Sequence, residues 1–245
     1  MKKSAWRQFA QSDIFRSFKL KLRHLTGIEP RFKLDINIPI RKTPGWCIPA
    51  ELVSENDIVY TLGVCNDIEF ELMIINDYKA QVYAFDPTPF SIEWIESQSL
   101  PENFNFYPCA ISGKDKNLYL YPRITVHGET TTTMYTVHKQ EEQRNDGITV
   151  EGLTLKSITR KLNHNHIDVL KIDIEGAEYE VLQNMLDTNL RPKIILIEFH
   201  HRFKGLHKSQ TVDAISSLRN DGYLIAHISV TGREFCFVHK SALNY

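Results

Sequence analysis

The stretch 169–185, Val-Leu-Lys-Ile-Asp-Ile-Glu-Gly-Ala-Glu-Tyr-Glu-Val-Leu-Gln-Asn-Met, commits the chain to an α/β layout. Val169, Leu170, Ile172 and Ile174 make a β-branched, apolar run of the kind found in a buried strand. Asp173 and Glu175 fall where that strand must end, and Gly176 permits a tight turn. From Ala177 onward the period changes, with Val181, Leu182 and Met185 on one helical face. A strand that passes through acids straight into a helix sets those acids at the carboxyl edge of a sheet. In open α/β folds ligands bind at that edge.

A second stretch, 57–89, has the same grammar. Residues 58–62 (Ile-Val-Tyr-Thr-Leu) form a strand that Gly63 interrupts. Asp67 is placed to cap a helix with acids in its first turn. Residues 82–85 (Val-Tyr-Ala-Phe) form the next strand, closed by Asp86 and Pro87. Asp86 follows Gly63 by 23 positions, near the ~20 expected between a glycine turn and a ribose-binding acid. A dinucleotide fingerprint is nonetheless broken, because Cys65 and Ile68 do not complete G-x-G-x-x-G.

Three pieces together resemble the FkbM family of S-adenosyl-L-methionine (SAM)-dependent methyltransferases: residues 59–64 (Val-Tyr-Thr-Leu-Gly-Val), 82–89 (Val-Tyr-Ala-Phe-Asp-Pro-Thr-Pro) and 170–178 (Leu-Lys-Ile-Asp-Ile-Glu-Gly-Ala-Glu). The resemblance covers roughly residues 50–240, and the third piece is its most specific part. It implies a Rossmann-like class I methyltransferase sheet, mostly parallel with a C-terminal antiparallel hairpin. It also implies SAM as cofactor and O-methylation of a sugar, glycolipid or secondary metabolite. The alternatives are a binding module on the same scaffold that has lost catalysis, and a nucleotide-sugar or NAD enzyme.

Composition narrows the partners. With 245 residues, 42% of them hydrophobic, one α/β domain has a full core. A net charge of −1 gives no bulk attraction to nucleic acid or anionic membrane. Cys47, Cys65, Cys109 and Cys236 form no C-x-x-C pair, which argues for reduced thiols and a cytoplasmic protein. No apolar run reaches the ~20 residues of a membrane span. The expected partner is a small-molecule or carbohydrate acceptor.

Residues 1–49 read as an N-terminal helix and connector, and 50–245 as the SAM-dependent methyltransferase domain. The basic, amphipathic stretch 1–25 carries Trp6, Phe9, Ile14, Phe15, Phe18, Leu22 and Leu25. Packing on the domain, or homodimerisation through this helix, is preferred to an interfacial lipid helix. The connector includes a short strand in 32–38. Residues 104–107 form the third core strand, and 118–121 a strand outside the nucleotide-binding half. The polar segment 123–147 is read either as a solvated loop or as a substrate-facing lid. Residues 193–200 and the hairpin around 231–233 complete the sheet.

The candidate cofactor-binding residues are Thr61, Gly63, Val64, Glu69, Asp86, Pro87, Ala110, Ile111 and Asp173. Gly63 admits the methionine end, Asp86 accepts two ribose hydroxyls, and Ala110 and Ile111 lie along the adenine by resemblance. Thr61 stands where many such enzymes carry an acid, so Glu69 is read as a substitute contact to the amino group. Cys65 stands where a second glycine is usual and is expected at negative φ. The candidate catalytic residues are Asp173, Glu175 and His200, with a histidine suited to take a hydroxyl proton. Glu175 has the alternative of capping the following helix. The same three residues are a usable ligand set for a divalent ion, but the reading retained is without a metal. His164, His166 and His201 read as polar loop histidines.

Overall fold

The computed structural model describes residues 12–124, 128–138 and 146–243. Helix α1 (Asp13–Leu25) is capped by Ser12 and leads to a two-residue hairpin, β1 (Arg41–Lys42) and β2 (Cys47–Ile48). The core then runs β3 (Ile58–Leu62), α2 (Glu69–Tyr78), β4 (Gln81–Phe85), α3 (Pro89–Glu96) and β5 (Phe104–Tyr107). Next come β6 (Ala110–Ile111), β7 (Lys116–Ile124), β8 (Thr130–Thr136), β9 (Ile148–Leu153) and α4 (Leu155–Lys161). The chain finishes with β10 (Val169–Ile172), α5 (Glu178–Asp187), β11 (Ile194–Glu198), α6 (Lys208–Asn220), β12 (Tyr223–Ile228) and β13 (Glu234–His239).

Seven strands form one sheet in the order β12-β13-β11-β10-β3-β4-β5. The five strands from β11 to β5 are parallel, and β13 is antiparallel to both of its neighbours. This is the mostly parallel, Rossmann-like sheet with a closing antiparallel pair that the sequence implied. Apolar residues fill both faces of the sheet, with Tyr60, Leu62, Leu170 and Ile172 on one and Val59, Val82, Val169 and Leu196 on the other. Strand order reverses at β3, so the crevice for a ligand opens beyond the carboxyl ends of β3 and β10.

Register sets the site. Leu62 pairs with Phe85 on one side and with Ile172 on the other, and Ile172 pairs with Ile197. The residues that follow this row, Gly63, Asp86, Asp173 and Glu198, therefore leave the sheet at one level. At the opposite edge Lys193 pairs with Asp57 and Asp168, which ties the strand starts together.

A second sheet, β6-β9-β7-β8, stands beside the first. It corrects two expectations. Thr130–Thr136 is a strand paired antiparallel with β7, where a solvated loop or lid was expected. Residues 125–127 and 139–145 of that segment lie outside the described residues. Residues 32–38 form no strand, and Asp35 and Ile36 instead donate their backbone N–H groups to the Ile225 carbonyl. The connector is held by Glu29, which is buried and accepts from Arg202 Nε at 2.8 Å and lies 2.9 Å from His201 Nε2. His201 is thus an anchor for the connector rather than a plain loop histidine. His164 is likewise engaged, its Nδ1 lying 2.8 Å from the Tyr60 hydroxyl.

Helix α1 does not bury its apolar stripe. Ile14, Phe18, Leu22 and Leu25 are exposed, whereas Phe15 and Leu20 are half-buried, with Leu20 near Gly232. The apolar stripe, as far as it is described, is thus covered by its own domain only in part. Trp6 and Phe9 lie outside the described residues. Among the described residues no helix is long and apolar enough to cross a membrane.

Candidate functional site

A cavity of about 240 Å³ opens at the reversal of strand order. Gly63, Asp86 and Asp173 all line it, as do Val64, Pro87, Ala110 and Ile111. Trp46 from the connector and Thr133–Val137 from the second sheet close its other sides. Gly63 has φ +85°, and a Cβ built on it would lie 1.8 Å from the Asp173 carbonyl oxygen. The glycine is therefore required by the close approach of the β10 loop to its own turn.

Asp86 organises that turn. Its Oδ2 accepts from the backbone N–H of Val64 and Cys65, at 2.9 and 3.0 Å. Its Oδ1 accepts from the Thr88 N–H at 2.9 Å and the Thr88 hydroxyl at 2.7 Å. A carboxylate offers about four lone-pair sites, and all four are taken here. Acceptance of two ribose hydroxyls, expected from the sequence, has no free lone pairs in this arrangement. The two bonds to Oδ2 also hold Cys65 at φ +51°, in the left-handed region, where negative φ was expected.

Two candidate contacts fall outside the cavity. Thr61 is buried within β3 with no partner for its hydroxyl, and Glu69 is exposed on α2. The acid that faces inward is Glu71, which is buried and pairs with the equally buried Lys171 at 3.1 Å. Lys171 Nζ also donates to the Gly63 carbonyl at 3.3 Å and lies 5.5 Å from the centre of the Trp46 ring. Burial opposes the charge on Lys171, but Glu71 and then Asp173 overcome it and hold its pKa above the ordinary value. A lysine inside a four-residue buried strand is itself a signal, since a buried charge needs a partner.

The acidic end of the cavity gathers around His200, which is 2% exposed. Its Nε2 lies 3.7 Å from Asp173 Oδ1, 3.8 Å from Glu175 Oε2 and 3.8 Å from Glu198 Oε1. The three sequence candidates Asp173, Glu175 and His200 are thus brought together, with their donor atoms within 4.8 Å of one another. Glu175 sits at φ +52° and does not cap α5. Helix α5 has no side-chain cap; its first residue, Glu178, instead accepts from Gly176 N–H through Oε2 at 2.9 Å and from His200 N–H through Oε1 at 2.7 Å. Arg123 donates to Glu175 at 3.0 Å while lying 4.3 Å from the centre of the Phe203 ring. Arg233 pairs with Glu198 at 2.5 Å.

Electrostatics here are strongly perturbed. Burial lowers the proton affinity of His200, yet Glu178, Asp173 and Glu175 outweigh it and push its pKa up to about 9. Burial, aided by Asp173, raises Glu198 to about 7. Burial also raises Glu175. The surrounding carboxylates thus favour the protonated ring of His200 over the neutral one when no other cation is bound. Glu198 and Arg123 escaped sequence reasoning because each joins the site through tertiary pairing, whereas Glu178 reaches it partly through a local bond to Gly176.

The second sheet is fastened to this end of the cavity. Thr136 Oγ1 donates to the Glu175 carbonyl at 2.8 Å, and His138 Nε2 lies 3.0 Å from the Gly176 carbonyl.

Comparison with known proteins gives the family context. The profile of the "Methyltransferase FkbM domain" matches residues 49–225. "Probable methyltransferase-like protein 24" of Homo sapiens is 27% identical over 154 residues, covering 62% of this chain and 34% of that protein. The Rattus norvegicus protein of the same name is 25% identical over 160 residues, covering 64% and 36%. The chain thus spans about a third of the length of the curated relatives it matches. The crystal structure of Methyltransferase FkbM from Methylobacillus flagellatus aligns with a TM-score of 0.49 at 10% identity, covering 76% of this chain and 44% of that one. Identity this low says nothing of individual site residues.

Proposed function

This chain belongs to the FkbM methyltransferase family, and from that premise we propose that it moves a methyl group from SAM to a hydroxyl of a sugar, glycolipid or secondary metabolite. The observation that carries this reading is the single cavity that joins Gly63, Asp86 and Asp173 at the reversal of strand order. When bound, SAM supplies an electrophilic methyl group on a sulfonium centre.

The residues present fit such a group. Glu71 and Lys171, opposite charges on one cavity wall, match the zwitterionic amino-acid end, and the Gly63 turn supplies close backbone approach. The apolar surfaces of Pro87, Ala110 and Ile111 suit the adenine. Asp86 serves the ribose through a proton shift. The Thr88 hydroxyl lies 2.7 Å from Asp86 Oδ1 and 2.8 Å from Ser91 Oγ. One hydroxyl proton serves only one acceptor at a time. Turned toward Ser91, it frees one Asp86 lone pair for a ribose hydroxyl.

Asp173 has a side chain 34% exposed, the most open of the acidic cluster, and takes the acceptor's hydroxyl proton. His200, 3.7 Å away, attracts this carboxylate when its ring is protonated. Most of the acceleration comes from orientation of the acceptor oxygen against the methyl carbon. The four free thiols accord with a cytoplasmic setting, and the exposed stripe on α1 with homodimerisation.

Calorimetry with SAM and its demethylated product, S-adenosylhomocysteine, tests the cofactor. Binding of both is expected, and no heat from either at millimolar concentration removes the reading. The saturated Asp86 favours a second reading, a scaffold that binds the product but transfers nothing. Product binding with no methylation across a broad hydroxyl library would select it.

A further inference from the structure

The environment of His200 holds an unmet demand. No hydrogen bond reaches Nε2 among the described residues, although three carboxylate oxygens face it at 3.7–3.8 Å. Those separations are too long for N–H···O bonds. The other ring nitrogen, Nδ1, is buried without a hydrogen bond among the described residues and faces the fully buried Glu178 Oε1 at 3.4 Å. A small tightening would give the carboxylate–histidine pair that orients a metal-ligating imidazole.

We propose that Asp173, Glu175 and His200 form a divalent-cation site at the acidic end of the cavity. Two metal–ligand bonds of ~2.1 Å can span donors up to ~4.2 Å apart. Both carboxylate-to-His200 separations, 3.7 and 3.8 Å, fall inside that reach. Among the described residues Arg123 pairs with Glu175 and Arg233 with Glu198, and no guanidinium group pairs with Asp173 or Glu178. A cation bound there would replace the His200 proton as the counter-charge of these acids, since a ligating imidazole must be neutral. Two carboxylates and one imidazole suit a hard or borderline ion of the Mg²⁺ or Mn²⁺ kind better than a thiolate-seeking one. Glu198, engaged by Arg233, supports the site from outside the ligand set.

Asp173 and Glu175 line the cavity, so the open positions of the ion face the acceptor space. Resting on the methyl-transfer reading, the site selects acceptors that offer two neighbouring oxygens, such as a vicinal diol or a hydroxy acid. An ion there holds the reacting oxygen in place and eases its deprotonation.

The test is Mn²⁺ binding to the full chain, followed by the electron paramagnetic resonance signal of the free ion. One bound Mn²⁺ per chain, displaced by excess Mg²⁺, is expected. Asp173→Asn and Glu175→Gln should each weaken binding at least tenfold. Glu178→Gln, acting through the His200 ring, should weaken it ~10–100-fold. Circular dichroism confirms that each variant is folded, and the half-buried Asp173 position is the safeguard should Glu178→Gln fail to fold. An undiminished free-ion signal at millimolar Mn²⁺, or equal binding by wild type and the folded Asp173→Asn chain, overturns the site. Calorimetry with S-adenosylhomocysteine on the same samples in chelator separates the two ideas. Product binding without Mn²⁺ binding defeats the cation site alone. Mn²⁺ binding without product binding upholds the site and defeats the methyl-transfer reading.

Discussion

Replacement of Glu71 by Gln strips a buried ammonium of its counter-charge. Lys171 is about 5% exposed and Glu71 about 1%, so water cannot take over. Breaking a buried pair by removing one partner costs about 3–5 kcal/mol. Lys171 keeps the Gly63 carbonyl at 3.3 Å and remains favoured by Asp173 and Asp67, which places the cost near the lower end, about 3 kcal/mol. For a chain of this size each kcal/mol lowers the melting temperature by about 2–4 °C, so Glu71→Gln should lose about 6–12 °C. Urea titration gives the free energy and differential scanning calorimetry the shift. The double variant Glu71→Leu with Lys171→Met should recover most of the loss, since a well-packed apolar pair often matches a buried ion pair. A loss under about 1 kcal/mol in the single variant, a size typical of solvated pairs, would refute the claim that this pair is dry and mutually dependent. The raised pKa of Lys171 adds a sign. Its contribution to stability is full below the unfolded value of ~10.4 and fades as pH rises through the higher folded value.

Gly63→Ala should destabilise the chain by about 2–6 kcal/mol, combining strain at φ +85° with the clash on Asp173, and should abolish product binding in calorimetry. Asp86→Ala removes the acceptor of four bonds, and loosening of the Gly63 turn should lower product affinity at least tenfold in the same assay. Cys65→Gly should stabilise by up to ~1 kcal/mol in urea titration, because glycine adopts φ +51° without the left-handed penalty. Glu29 is held below the usual carboxylate range: burial pushes it up, but His201 and Arg202 outweigh burial. Its contribution is full above the unfolded value of ~4.3 and lost as pH falls through the lower folded value. The stability gap between wild type and Glu29→Gln should therefore shrink in acid denaturation below about pH 4.

Much of the sheet was legible because β10 and β3 are short apolar runs stopped by acids or glycine, and those stops follow from backbone chemistry. The inward acid on α2 was misplaced by helical phase. Glu69 and Glu71 are two residues apart, about 200° around the helix, so a wrong start exchanges the solvent face for the cavity face. Thr130–Thr136 was open to a loop reading because four consecutive threonines carry no apolar alternation, and pairing with β7 alone makes them a strand. Cys65 shows the reverse case, a residue with no glycine signal forced to positive φ by a carboxylate 21 positions away. Lys171 was in plain view, but its partner lies in another element and no local spacing reveals it.

The fastening of β8 to the Glu175–Gly176 turn, through Thr136 and His138, divides labour within the protein. The cavity wall that carries Gly63, Asp86 and Asp173 is built from the ends of β3, β4 and β10, whereas Thr133–Val137 of the inserted ribbon close the opposite side. On the proposed methyl-transfer reading, changes along the inner edge of that ribbon would re-tailor which acceptor is admitted while the Gly63 turn stays as it is. New preferences would then evolve by revising one ribbon, with no need to rebuild the sheet.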